Sequence, residues 1–244
     1  MPKFKIFIEY DGTDFVGWQK QNNGMSIQEK IEKAVFKLTN EKVSLFGAGR
    51  TDSGVHAIGQ VAHFDLIKKF STDNIRDGLN QHLRPHPIAI LDVKEVNDNF
   101  HARFSAITRT YQYFIINRRV PLTIDQNKAW CVFKKLDIKK MIFESQFFLG
   151  KHNFKAFRSI DCQSNSAVKT IDKINITETK KHIVMTISAK SFLHSQVRII
   201  VGTLVEIGKG KINKSIKDII LQKKRSEAGI TAPACGLYLT EVKY

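Results

Sequence analysis

Two successive runs of the order β-α-β-β-α-β predict an α+β protein built from two ferredoxin-like halves. Three observations carry that expectation. Apolar residues alternate at period two where each run begins, at Phe4, Ile6, Ile8 and Tyr10 and again at Tyr111, Tyr113 and Ile115. Apolar residues at helical spacing follow residues suited to cap a helix, Ser26 and Asp137. No Gly/Ser-rich or Pro-rich linker separates the runs near Phe100 to Ala106. The halves, residues 1–104 and 105–244, are therefore expected to dock tightly, with a cleft where they meet. Sheets joined edge to edge would hide two edge strands.

In the first half, Lys3 to Tyr10 alternates as a half-buried strand, and Asp11-Gly12-Thr13-Asp14 turns. Ser26-Ile27-Gln28-Glu29 is a capping box, and Ile27, Ile31, Val35 and Leu38 make Ser26 to Thr39 a helix. Val43 to Phe46 and Gln60 to Asp65 read as two strands, Ser71 to Leu79 as a second helix, and Ile88 to Val96 as a strand.

The second half repeats the order without repeating the sequence. Thr110 to Asn117 is strand-like, and Asp137 caps a helix running to Leu149. Ile171 to Thr179 and His182 to Ala189 are strands joined by a short polar turn. Phe192 to Ile207 reads as a long apolar helix, Ser215 to Leu221 as an extra one, and Leu237 to Tyr244 as a last strand.

Composition narrows the partner. The net charge of +16, from 39 Lys and Arg against 23 Asp and Glu, implies an acidic partner, with nucleic acid before a membrane surface. The cations are spread through folded-looking segments, so they do not form a disordered basic tail. Cys131, Cys162 and Cys235 are far apart and odd in number, which argues against zinc knuckles and redox pairs and suits a reducing cytoplasm. The alternating N-terminus lacks the apolar stretch of a signal peptide, and no apolar run reaches the length of a membrane span. A soluble, cytoplasmic protein is expected.

The chemistry concentrates between Phe46 and Phe64, FGAGRTDSGVHAIGQVAHF. Four of the chain's 14 glycines, Gly47, Gly49, Gly54 and Gly59, fall here, around Arg50, Thr51, Asp52, Ser53 and His56. Loops held by a rigid scaffold are where catalytic groups gather. Two nucleotide-loop readings fail on their key residue. A dinucleotide fingerprint needs glycine where Asp52 stands, followed by a helix. A phosphate loop needs lysine where Val55 stands. An Asp-Gly turn with no catalytic role is the plain alternative.

As a whole string, GRTDSGVHAIGQVAHF resembles the active-site motif of the tRNA pseudouridine synthase A family. Further segments resemble that family in the right order: EYDGTDFVGWQKQ, FHARFSAITRTYQYFI, FLHSQVRIIVGTLVEIG and TAPACGLYLTEVKY. The resemblance implies isomerisation of uridine to pseudouridine at tRNA positions 38 to 40, in the anticodon stem-loop. It also implies a homodimer with tRNA lying across both subunits. The base is detached from ribose, turned and rejoined through carbon 5, with neither redox change nor hydrolysis, so no cofactor and no metal are called for.

In that family the aspartate of the R-T-D triplet is catalytic, here Asp52, as nucleophile or base. Attack on the ribose, attack on the uracil ring and abstraction of a ribose proton all remain open. Tyr111 matches the tyrosine that lies against the target base. Arg198 matches the arginine that pairs with the aspartate and would keep it ionised. Arg50 resembles the arginine that intrudes where the base leaves the stack. His56 and His63 are read as structural, and Asp161 and Asp172 as solvated. The sequence departs from the family pattern at Pro87, at Ser195-Gln196 and at Ile200, which bears on packing near the cleft.

A non-catalytic RNA-binding protein made of the same two halves would explain the charge and the aromatics. It leaves unexplained an acid in a glycine loop, which would repel phosphate. A small-molecule enzyme is third, and the charge argues against it.

Overall fold

The computed structural model describes residues 1–160 and 162–244, so Asp161 lies outside the described residues. In chain order the elements are β1 (Lys3–Tyr10), α1 (Ile27–Thr39), β2 (Phe46–Gly47), β3 (His56–Asp65), α2 (Thr72–Leu83) and β4 (Ile88–Val96). Then follow β5 (Thr108–Asn117), β6 (Trp130–Val132), α3 (Ile138–Ser145), β7 (Gly150–Asn153), β8 (Val168–Glu178) and β9 (Ile183–Ala189). α4 (Gln196–Gly208), α5 (Ile216–Gln222) and β10 (Leu237–Lys243) complete an α+β chain. It divides into two compact units, residues Met1–Arg109 with Tyr238–Tyr244, and residues Thr110–Leu237.

In the first unit β1 lies between β3 and β4, antiparallel to both. Phe4, Ile6, Ile8 and Tyr10 are buried, as their alternation requires. Ser26 Oγ accepts the Glu29 N–H and starts α1. α1 packs against α2, where Gly78 faces Leu38, and α2 against β4; Ile27, Ile31, Ile75 and Leu79 are buried. Asn80 fastens α2 to β4 by bonds in both directions with the backbone of Ile90.

Two expectations shift here. The strand expected over Val43 to Phe46 shrinks to Phe46–Gly47. Side chains of α1 take the backbone groups a ladder would have used: Glu32 accepts the Leu45 N–H, and Gln28 donates to the Leu45 carbonyl. The last strand, expected within the second half, is grouped with the first unit. β10 pairs in parallel with β3, Tyr238 opposite His56 and Leu239 opposite Ala57, so it belongs with the first unit although it ends the second run.

In the second unit the strand order is β5-β9-β8-β7, with β6 beside the end of β5. Every residue of α4 except Arg198 is buried. That helix begins at Gln196, later than its apolar run suggests. Ser195 takes a left-handed φ of 56°, and the Gln196 carboxamide oxygen holds the Leu193 N–H in a turn. α3 ends at Ser145 and tightens into one 3-10 turn to Phe148. Glu144 then caps α5 from outside, accepting from Ser215 Oγ and the Ile216 N–H.

Candidate active site

The loop between β2 and β3 carries Arg50 and Asp52. Its ends are pinned by backbone pairing: Phe46 lies opposite His63 and Gly47 opposite Ala62, and the Ala48 N–H donates to the Val61 carbonyl. Gln60 Nε2 holds the Gly49 carbonyl at 2.9 Å. Thr51 is buried, and its hydroxyl meets Tyr10 Oη at 2.8 Å. Asp52 is half-buried, and its carbonyl accepts the Val55 N–H in a tight turn. Ser53 Oγ and the Gly54 N–H both donate to the Phe15 carbonyl. Arg50 is exposed on the same loop.

A second loop, Asp11 to Trp18, lies against this one backbone to backbone. A Cβ on Gly12 would stand 2.0 Å from the Val55 carbonyl oxygen. A Cβ on Gly17, where φ is +111°, would stand 2.6 Å from the Thr51 oxygen. Only glycine allows approaches this close. The Trp18 N–H then donates to that Thr51 oxygen. Asp52 is thus presented on backbone fixed from several directions, as a group that must meet a reacting atom requires.

The two histidines of the motif act as struts. His56 is buried, its ring stacked on Tyr238 with centroids 4.6 Å apart. Its Nδ1 accepts the Gly12 N–H at 3.0 Å and lies 3.0 Å from Asp11 Oδ1. His63 accepts the Ala102 N–H through Nδ1 at 3.1 Å. Burial first, then the neighbouring His101 and Lys3, lower the His63 pKa to about 4 and keep the ring neutral. Among the described residues, no three His, Cys, Asp or Glu side chains are grouped to hold a metal ion.

Tyr111 and Arg198 belong to the second unit. Tyr111, on β5, is 8% exposed and meets Phe192 edge to face with centroids 5.3 Å apart. Tyr113 points to the same face, is fully buried, and donates from Oη to the Pro233 carbonyl at 2.7 Å. Burial raises its pKa well above the ordinary tyrosine value. Arg198 leaves α4 at its one half-buried position, and its Nε donates to the Ala232 carbonyl at 2.8 Å. The Ala232 N–H returns a bond to the Arg198 carbonyl. The segment Thr231 to Gly236 therefore steers both Tyr113 and Arg198.

Of the four candidates, Arg50 and Asp52 share one loop of the first unit, while Tyr111 and Arg198 sit on β5 and α4 of the second. Sequence reasoning passed over Arg109, which is buried and donates to the Ala48 carbonyl from Nε and a terminal nitrogen at 3.1 and 2.8 Å. A signal was present: Arg109 occupies an apolar position in the alternation that continues with Tyr111, Tyr113 and Ile115. Gly12 was legible only as a turn residue, and Gly17 was passed over.

A family model described as tRNA pseudouridine synthase matches residues 6–105 and 145–244. The chain is 54% identical over 244 residues to the tRNA pseudouridine synthase A of Ehrlichia ruminantium strain Welgevonden, covering 99% of each chain. It is 50% identical to that of Maricaulis maris, over 100% of this chain and 98% of the relative. It is 51% identical to that of Wolbachia pipientis wMel, over 99% and 100%.

Proposed function

We propose, from the premise that the chain belongs to the tRNA pseudouridine synthase family and so is an isomerase that turns uridine into pseudouridine in tRNA, that Asp52 is its catalytic residue. The observation that carries this reading is the mounting of Asp52. Its loop is locked by Gly17, Tyr10, Gln60 and Arg109 while the residue itself stays half-buried. A fixed carboxylate in a partly water-excluded setting can serve as nucleophile or base without first reorganising.

The remaining roles follow the motifs. Tyr111 supplies an aromatic face for the detached base. Arg198 takes the place of the arginine that the family motif pairs with the aspartate. Arg50, exposed beside Asp52, is suited to fill the gap left by an extruded nucleotide. The sites modified are positions 38 to 40 of the anticodon stem-loop. The protein works in the cytoplasm as a homodimer and without a cofactor. No helix among the described residues is long and apolar enough to cross a membrane, and the net charge of +16 suits a polyanion such as tRNA.

The test pairs two measurements on wild-type protein and Asp52→Asn. An unmodified tRNA transcript is incubated with each, pseudouridine is mapped by position, and tRNA affinity is measured in parallel. The expected result is pseudouridine at positions 38 to 40 with the wild type and none with the variant, at similar affinity, because phosphate contacts supply most of the binding. Wild-type turnover in the Asn variant would refute the assignment of Asp52. Modification confined to other positions would refute the site.

A further inference from the structure

We propose that an aromatic ledge on the first unit, formed by Phe46, His101 and Phe104 beside Arg103, stacks an unpaired nucleobase of the tRNA other than the uridine that reacts. The proposal rests on the reading above that tRNA is the substrate.

Four rings form a connected set. Phe46 stacks on His63 with centroids 5.2 Å apart, His63 meets His101 at 4.7 Å, and His101 meets Phe104 at 4.4 Å. Phe46 closes on His101 at 5.5 Å. His63 is the buried floor, whereas Phe46 is 46% and Phe104 75% exposed. The exposure is not a frayed end. His101 Nδ1 accepts the N–H groups of Arg103 and Phe104 at 3.1 and 3.4 Å. The His101 carbonyl accepts the Ser105 N–H, and Ser105 Oγ accepts the His101 N–H. His63 takes the Ala102 N–H, and Arg109 grips the Arg103 carbonyl at 2.5 Å. Hydrogen bonds thus hold a phenylalanine ring out into water.

The chemistry around the ring selects the ligand. The Arg103 guanidinium carbon lies 5.9 Å from the Phe104 centroid. Lys3 is close to both histidines and is paired at 3.7 Å with Asp65. Lys5 sits 4.2 Å from the centroid of Tyr244. A nucleotide offers a π-face to the ring and a phosphate to Arg103, and stacking of this kind tolerates any base. The same face of a second copy would set Arg103 and Lys3 against their own counterparts, whereas a nucleotide brings an anion. The ledge also shares a frame with the catalytic loop. Phe46 opens that loop, and the guanidinium of Arg109 holds both Ala48 and Arg103.

The experiment measures affinity for an unmodified tRNA transcript at fixed salt, with wild-type protein and with Phe104→Leu and Phe104→Trp. Single-turnover pseudouridine formation at saturating enzyme, the unfolding midpoint and the mass by sedimentation are recorded for each. Leucine keeps the apolar bulk and removes the π-face. It is expected to weaken binding roughly five- to a hundred-fold with the other three readouts unchanged. Tryptophan is expected to restore affinity and to show fluorescence quenched by tRNA. Wild-type affinity in Phe104→Leu overturns the proposal. Weakening accompanied by a lower midpoint overturns it in favour of packing, and a change of mass in favour of an interface between copies. Failure of the underlying reading looks different: wild-type protein then makes no pseudouridine, while the Phe104 series still reports on RNA binding.

Discussion

The guanidinium of Arg109 closes on a single oxygen, the Ala48 carbonyl, with two nitrogens at 3.1 and 2.8 Å. Ala48 stands at the entry to the Asp52 loop. A strand-borne cation buried to 7% exposure thus fixes the backbone from which the Asp52 carboxylate is hung.

Arg109→Met should lose this fork and leave the Ala48 and Arg103 carbonyls short of donors. Hydrogen bonds to a charged group contribute about 1.5–3 kcal/mol each, so a loss of roughly 2–4 kcal/mol is expected after partial relaxation. Arg109→Lys keeps the charge but not the planar fork and should recover little. Chemical denaturation of the three proteins checks this; equal stability of wild type and Met variant would remove Arg109 from the account.

Gly17 separates two reasons for needing glycine. Gly17→Ala meets both a positive φ and the Thr51 oxygen at 2.6 Å. Gly210 has a φ of +72° and nothing within 4 Å of a built Cβ. Gly210→Ala should therefore cost only the backbone strain, about 1 kcal/mol. Gly17→Ala should cost more and displace the loop, lowering turnover on the order of a hundredfold, since small misplacements of a reacting group are expensive. Turnover and unfolding measured on both variants decide. Identical behaviour would mean that close approach of the two loops is unimportant.

The parts legible in the sequence are those fixed by local patterns. β1 appears with the expected bounds because alternation marks it, β4 spans the residues expected of it, and α1 forms where Ser26 caps it. The parts that were not legible depend on distant partners. Leu45 leaves the strand because Glu32 and Gln28, on α1, take its backbone groups. β10 joins β3, a pairing no local signal announces. β6 and β7, of three and four residues, are too short to show a period. In the site, Asp52 stood out because glycines surround it. The histidines were legible as structural, but not what they hold, since Gly12 and Ala102 lie far from them in sequence.

His63 should make stability fall in mild acid. Its folded pKa is about 4 against 6.5 for the free side chain, so the unfolded chain binds the proton more readily between those values. Its contribution is complete above pH 6.5 and is lost as pH falls towards 4. At about 1.4 kcal/mol per unit, the loss is at most about 3 kcal/mol. His63→Asn can keep an acceptor for the Ala102 N–H without titrating. The stability gap between wild type and variant should therefore narrow from pH 7 to pH 4. A gap independent of pH would show that His63 titrates normally.

Tyr111 and Tyr113 share a strand face and should separate cleanly on removal of one oxygen each. Tyr113 is fully buried, its hydroxyl donates to the Pro233 carbonyl, and a Cβ on Gly236 would come within 2.7 Å of its ring. Tyr113→Phe leaves that carbonyl without its donor and should lower unfolding free energy by about 1–2 kcal/mol. Pseudouridine formation by the folded variant should match wild type. Tyr111→Phe keeps the aromatic face and should keep tRNA affinity. Turnover should fall about a hundredfold or more if the hydroxyl takes the proton from carbon 5, the usual scale for losing a general base. Tyr111→Ala also removes the stacking face, so the base is no longer held and turnover should fall further. Single-turnover rates with tRNA affinities for the three variants distinguish these roles. Full turnover in Tyr111→Phe with loss in Tyr111→Ala would leave the ring as the only catalytic contribution of Tyr111. Full turnover in Tyr111→Ala would remove it from the site altogether.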